Sequence, residues 1–329
     1  MNKRATLRAL LALGIVGTAP LTRAQPAQGL PRIGVLDPAR TDSSAVRLAG
    51  LRAGLKSRGL EEGRHYVFEY RSAEGDFARL PALAADLVRL PVKVMVARNT
   101  PGVQAARAAT KSIPIVMADV GDPVGVGLVQ SLAKPGGNVT GLSNARIELV
   151  PKRLEYLHDA VPALRRLAVL SNPDDQNMPF QIGELRTAAA KRGVEYRIFE
   201  VRSAAQLGPA LEQISAWRAQ AVLPLVNPTY TAAFFRPLID WAAQRRVPVM
   251  FASAVDAQAG GLMAYDADLS DHHYRAGLYV AKLLAGADPA TLPVERPTRF
   301  ELTVNLKTAK ALGLTMPQSV LVRADRVIE

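Results

Sequence analysis

Cysteine is absent from all 329 residues. Its absence excludes disulfides, thiolate metal ligands, a cysteine nucleophile and a lipid-bearing N-terminal cysteine. Histidine is scarce, with four copies at His65, His158, His272 and His273. Adjacent histidines on a helix project roughly 100° apart and do not readily share a metal, so no metal or cofactor site is expected. The stretch DLSDHHYRAG reads instead as a capped, solvated helix start. Past residue 24 no apolar run is long enough to cross a bilayer. Basic clusters with interleaved aromatics are also missing, which argues against nucleic acid as a partner. GxxxxGK[ST] does not occur, and GVGLVQ places Gln130 where a dinucleotide fingerprint needs glycine or alanine. The closest approach to a nucleophile elbow, GLSNA at Gly141–Ala145, lacks its final glycine. These gaps weigh against an enzyme.

What is present begins with MNKRATLRALLALGIVGTAPLTRAQ. Lys3, Arg4 and Arg8 precede an apolar stretch, and a small-residue site ends at Ala24. Residues 1–24 therefore read as a cleaved secretory signal peptide, giving a periplasmic protein without a lipid anchor. The formal charge of +12 falls to +8 once the four basic side chains of that segment are set aside. The remaining basic residues are scattered singly or in pairs such as Arg165-Arg166, as on a solvated surface. The length exceeds one ordinary core and predicts two lobes.

Two long segments can be laid side by side. RIGVLDPA (Arg32–Ala39) resembles RLAVLSNP (Arg166–Pro173). AGLKSRGLEEGRHYVFEYRSAEGD resembles RTAAAKRGVEYRIFEVRSAAQ. VKVMVARNTPG resembles QAVLPLVNPTY, and SIPIVMADVGDP resembles RVPVMFASAVDA. The offsets between matched positions stay nearly constant, at 131 for Ser72 and Ser203, 128 for Asn99 and Asn227, and 134 for Asp119 and Ser253. Strands alternating with helices predict parallel sheets with right-handed crossovers. The fold class expected is α/β, as two doubly wound lobes joined by a three-crossing hinge. The N-terminal lobe should span 31–140 and regain the chain over about 264–292; the C-terminal lobe should span 141–263 and about 298–329.

Ligands of open parallel sheets gather beyond the carboxyl ends of the strands. On that rule Asp37, Asn99, Thr100, Asp119 and Asp122 line one wall of a cleft, and Asn172, Asn227, Ser253 and Asp256 line the other. The stretch IPIVMADVGDPVGVGLVQ forms a strand-to-helix turn whose backbone N–H groups either face a carboxylate or simply permit close packing. Asp119 reads as a ligand contact, while Asp122, before Pro123, reads equally as a helix cap. Asn99 and Asn227 occupy corners that turn chemistry alone explains, but their pairing across the lobes suits hydrogen-bonding arms. Ser43 and Ser44 cap the first long helix and are placed to hold an acidic group. Phe180, Tyr230, Phe251 and Tyr265 lie near strand ends, where one or two could stack on a flat ligand and the others belong to the core.

The stretches IPIVMADVGDPVGVGLVQSLAKPGGNVTGLS, RIGVLDPA and the long C-terminal segment from GGLMAYDADLS to VRADRVIE resemble the bacterial ABC-transporter substrate-binding proteins, in the group that includes tryptophan- and tyrosine-binding members. The chain departs from that pattern at Tyr265-Asp266, where Tyr-Gly is common, and around Arg98-Asn99-Thr100-Pro101, where Gly-Thr-Pro is common. The resemblance implies a type I periplasmic-binding fold, and the protein is expected to be a monomer. The resemblance also implies capture of a small solute and delivery to an ABC permease with its ATPase; the leading candidate for that solute is an amino acid, aromatic or otherwise. A sensing subunit for a membrane receptor and a cleft hydrolase remain as alternatives.

Overall fold

The computed structural model describes residues 29–39, 45–268 and 271–329. The expected signal peptide and Ser43 and Ser44 lie outside the described residues.

The first sheet is built from β1 (Arg32–Asp37), β2 (Val67–Ser72), β3 (Val92–Arg98), β4 (Ile115–Val120) and β5 (Val139–Ser143), with α1 (Ala45–Lys56), α2 (Leu80–Arg89) and α3 (Asn99–Ala109) between its strands. The strands run parallel in the order β2-β1-β3-β4-β5. A parallel sheet is covered on both faces, so its central strands are nearly continuous apolar runs, as RIGVLD and IVMADV are. Alternation sorts those residues between faces. Ile33 and Val35 join one cluster with Leu51, Leu55 and Tyr279. Leu36 joins the other with Leu87, Met95 and Met117. The edge strand VFEYRS is half-buried throughout and carries charge, which discourages pairing with another chain.

The second lobe repeats this plan. After α4 (Val150–Ala160) come β6 (Arg166–Ser171), α5 (Met178–Arg192), β7 (Glu195–Glu200), α6 (Ala204–Ala216), β8 (Ala221–Pro224), α7 (Ala232–Arg245), β9 (Met250–Phe251), α8 (Ala254–Gln258) and β10 (Met263–Ala267). Strands β7-β6-β8 form one parallel ladder and β9-β10 another, bridged where Val222 meets Val249. The two lobes therefore share the same 2-1-3-4-5 order, as the internal repeat requires. Even the turn chemistry is copied: Gly59 in SRGL and Gly193 in KRGV both take positive φ, 77° and 62°.

The chain then returns to the first lobe as α9 (His272–Leu284) and comes back as β11 (Phe300–Asn305), α10 (Leu306–Ala311), α11 (Gln318–Leu321) and β12 (Arg326–Ile328). It crosses between lobes three times: after β5, after β10 and before β11. The lobe boundaries differ slightly from the expected ones. β5 keeps residues to Ser143 in the first sheet, and β10 keeps residues to Ala267 in the second. One strand also breaks the all-parallel expectation, because β11 is antiparallel to β10. The reason is topological: β10 leaves the sheet toward the first lobe, and β11 enters from that side.

Helix α9 lies directly on α1, and the contact is backbone to backbone. A Cβ on Gly54 would stand 2.0 Å from the Tyr274 carbonyl oxygen, and one on Gly277 would stand 2.5 Å from that of Leu51. Only glycine permits such an approach. This packing seats the start of α9 beneath the cleft.

Candidate functional site

A cavity of about 560 Å³ lies between the lobes, within the range of small-molecule sites. Of the residues expected there, Asn99, Thr100, Asp119, Asn227, Ser253 and Asp256 line it. Asp37 lies behind, its Oδ1 accepting from Arg98 Nη1 at 2.9 Å and from the Ala39 N–H at 3.0 Å. Asp122 closes its own turn through the N–H groups of Val124 and Gly125. Asn172 accepts from the Asp174 N–H and approaches Thr229. Tyr265 packs edge-on against Tyr156 and stacks on Phe300. These four lie outside the cavity wall.

Asn99 and Asp119 adopt left-handed backbone, φ 55° and 61°. Asn and Asp tolerate that region better than other non-glycine residues, and strained residues of this kind cluster at ligand sites. At Asn99 the conformation accounts for glycine in the family pattern. Asp119 Oδ2 accepts from Arg98 Nε at 2.8 Å, so one half-buried arginine ties the ends of β1, β3 and β4 together.

The two histidines reverse the solvated-helix expectation. His272 is 2% exposed, and its Nε2 accepts from the Asp119 N–H at 3.3 Å. An acceptor nitrogen carries no proton, so this ring is neutral and gives nothing to Asp119 Oδ1, 3.7 Å away. Nor does Asp271, ahead of the helix, make a side-chain cap. Burial is the largest influence on the Asp119 carboxyl and pushes it upward. The positive charge of Arg98, the largest opposing influence, together with that of Arg146 outweighs burial and holds it well below the usual carboxylate range.

His273 is pushed down to about 4, first by burial and then by Arg98, His272 and Arg47, against the pull of Asp119. The unfolded chain protonates this imidazole near 6.5 and the folded one near 4. Its contribution to stability is therefore complete above pH 6.5 and declines as pH falls toward 4, by on the order of 3 kcal/mol. Asp256, pushed up to about 6 by burial, slopes the opposite way. The readout is thus the difference between wild type and His273→Gln in urea unfolding at pH 7 and pH 4.5. The variant should lose less stability on acidification, and equal losses would refute the assignment.

The second lobe contributes a residue that sequence reasoning missed. Asn177 opens α5 and reaches across the cleft, its Nδ2 donating to Thr100 Oγ1 at 3.1 Å and to Asp175 Oδ1 at 3.1 Å. The carboxylate fixes the amide orientation, since only the nitrogen can donate. The remaining oxygen, Asn177 Oδ1, is buried without a partner, as is Asp119 Oδ1. Asn227 is already spoken for: its Nδ2 donates to Asp175 Oδ2 at 2.9 Å, and its Oδ1 accepts from the Thr229 N–H at 2.9 Å. It shapes the wall. Tyr230, Phe77 and Phe235 supply aromatic surface, with Tyr230 anchored by its hydroxyl to the Val201 carbonyl at 2.7 Å. Phe251 is fully buried in the core and Phe180 sits at the rim against Gly125. The arrangement combines two acceptors in want of donors with a partly aromatic lining. Among the described residues no cluster of metal ligands occurs.

At the hinge, Asp266 in β10 receives Arg146 Nε at 2.8 Å and Arg153 Nη2 at 3.3 Å. Arg153 is 1% exposed and also donates to the carbonyls of Tyr265 and Arg146. The departure from Tyr-Gly at Tyr265-Asp266 thus supplies the counter-ion for two arginines.

Comparison with known proteins agrees with this architecture. The family described as "ABC transporter substrate binding protein" matches residues 32–328. A tyrosine-binding protein of Clostridioides difficile is 27% identical over 266 residues, 80% of this chain and 76% of that one. The crystal structure of an ABC domain in complex with L-Trp from Streptococcus pneumonia superposes with a TM-score of 0.83 at 27% identity, covering 91% of this chain and 100% of that one. A conserved domain protein from Vibrio cholerae gives a TM-score of 0.83 at 31% identity, covering 90% and 99%. The chain shares the two-lobed type I periplasmic-binding architecture, and the tyrosine-binding protein and the L-Trp complex are solute binders. With two repeated lobes, a cavity between them and a match along nearly all the described chain, this protein belongs to the family of ABC transporter substrate-binding proteins.

Proposed function

We propose that this protein captures a free amino acid with an aromatic side chain in the interlobe cavity and delivers it, in the periplasm, to the permease of an ABC transporter and its ATPase. The observation that carries the reading is the pair of buried, unpartnered oxygens, Asp119 Oδ1 from one lobe and Asn177 Oδ1 from the other. Both are acceptors, one is anionic, and an α-ammonium group carries three donors in one place. Thr100 Oγ1 accepts from Asn177 and so keeps its own proton for a ligand carboxylate, beside the open N–H groups at the start of α3. Phe77, Tyr230 and Phe235 receive a flat side chain. Tryptophan and tyrosine binding among the relatives supports the same class.

The mechanism is differential binding. A ligand touching Asp119 and Asn177 together stabilises only the arrangement in which the lobes meet, and so shifts the population toward the shape a permease can read. Among the described residues no helix is long and apolar enough to cross a membrane, so passage through the bilayer falls to a partner.

A thermal-shift series tests this. L-Tryptophan, L-tyrosine and L-phenylalanine should raise Tm with concentration, by the equivalent of about 2.7 kcal/mol at a hundredfold excess over Kd. N-acetylated forms should do nothing. If they stabilise as well as the free amino acids, the ammonium assignment is wrong.

A further inference from the structure

We propose that Asp256 sets specificity by accepting a hydrogen bond from an O–H or N–H on the ligand's side chain, so that the solute is an aromatic amino acid bearing a ring donor and a purely hydrocarbon side chain is disfavoured. The proposal rests on the amino-acid reading above and deepens it.

The other carboxylates with little exposure around the site have donors within the protein. Asp37 and Asp119 share Arg98, and Asp266 has Arg146 and Arg153. Asp175 accepts from Asn177 and Asn227. Asp256 differs. It stands in the first turn of α8, is 6% exposed and lines the cavity. Among the described residues no donor and no cation reaches its carboxylate. The cavity it lines is also lined by Phe235 and Leu225, whose side chains offer no hydrogen bond. Burial, the one influence on this carboxyl, pushes it up to about 6.

The Asp256 oxygens open onto the cavity, and closure over a ligand would strip them of water, which is costly unless the ligand itself supplies a donor. The repeat sharpens the point. The equivalent strand end of the first lobe presents Asp119, which takes the ammonium. Asp256 opens onto the same cavity from the opposite lobe and is left for another part of the ligand. With Phe77, Tyr230 and Phe235 in the wall, that part is the edge of a ring. A site built to hydrogen-bond a ligand group rejects the analogue lacking it more strongly than an apolar pocket rejects a missing methylene, because the protein group is then left bare.

The test is isothermal titration calorimetry on the full chain at pH 7.5 with two matched pairs, L-tyrosine against L-phenylalanine and L-tryptophan against 1-methyl-L-tryptophan. The first pair reads a phenol O–H and the second an indole N–H. In at least one pair the donor-bearing member should bind tenfold or more tightly. Asp256→Leu should erase that preference while leaving the affinity for L-phenylalanine equal or higher, since the lost carboxylate has no partner in the protein. Asp256→Ala provides the same reading should the leucine variant not fold. Equal binding within both pairs, or a preference that survives in the variants, overturns the proposal. Failure of all four ligands to bind overturns the amino-acid reading as well, so the two failures are separable.

Discussion

Asp119→Ala is expected to weaken binding of the free amino acid by roughly 2–5 kcal/mol, about 30-fold or more. Two effects combine. The ligand ammonium loses its anionic acceptor, and Arg98 keeps only Asp37 of the two carboxylates that now bracket it. Asp119→Asn separates them, because it leaves an oxygen in place and removes only the charge; its loss should be smaller. The comparison is made by calorimetry at pH 7 and pH 5. Wild-type Asp119 stays ionised at both, held below the usual carboxylate range against the opposing effect of burial, so its contribution should not change between them. Unaltered affinity in Asp119→Ala would remove this residue from the site.

Arg153→Met is expected to destabilise the fold by about 3–5 kcal/mol, the range for breaking a buried charge pair by removing one partner. At about 2–4 °C per kcal/mol for chains of 150–250 residues, Tm should fall on the order of 10 °C. Desolvation already pulls this guanidinium down to about 10, against the favourable charge of Asp266. Its removal leaves the Tyr265 carbonyl without its side-chain donor and Asp266 with Arg146 alone. Adding Asp266→Gly, which restores the common family dipeptide, should recover part of the loss. A double-mutant cycle in urea measures that coupling, and strictly additive effects would show that the pair does not act as a unit.

The lobes were legible because they are repeated. Two copies of a strand pattern, each ending at Asn, Asp or Pro, fix the strand order and the side on which polar groups collect. Six cavity-lining residues followed from that rule. The arginines did not, because a lone Arg98 or Arg153 carries no local mark of burial. The partner that keeps Arg153 inside, Asp266, lies 113 residues along the chain. His272 and His273 misled for a related reason. Their helix was read by its own pattern, whereas its environment is set by Gly54 and Gly277, which let α9 sink onto a lobe the chain had left long before. Asn177 did leave a trace in the polar loop NPDDQN at the end of β6. Its reach to Thr100 depends on how the lobes face each other, which no single segment encodes.

The return of α9 to the first lobe also orders how the molecule can be made. One face of the first sheet is covered by Ala276, Tyr279, Val280 and Leu283, which leave the ribosome some 130 residues after β5. The second sheet waits longer still, for Leu302 and Val304. Neither half can finish until almost the whole chain exists, and contacts so distant in sequence form slowly. A nascent copy therefore spends its synthesis with both sheets uncovered on one face.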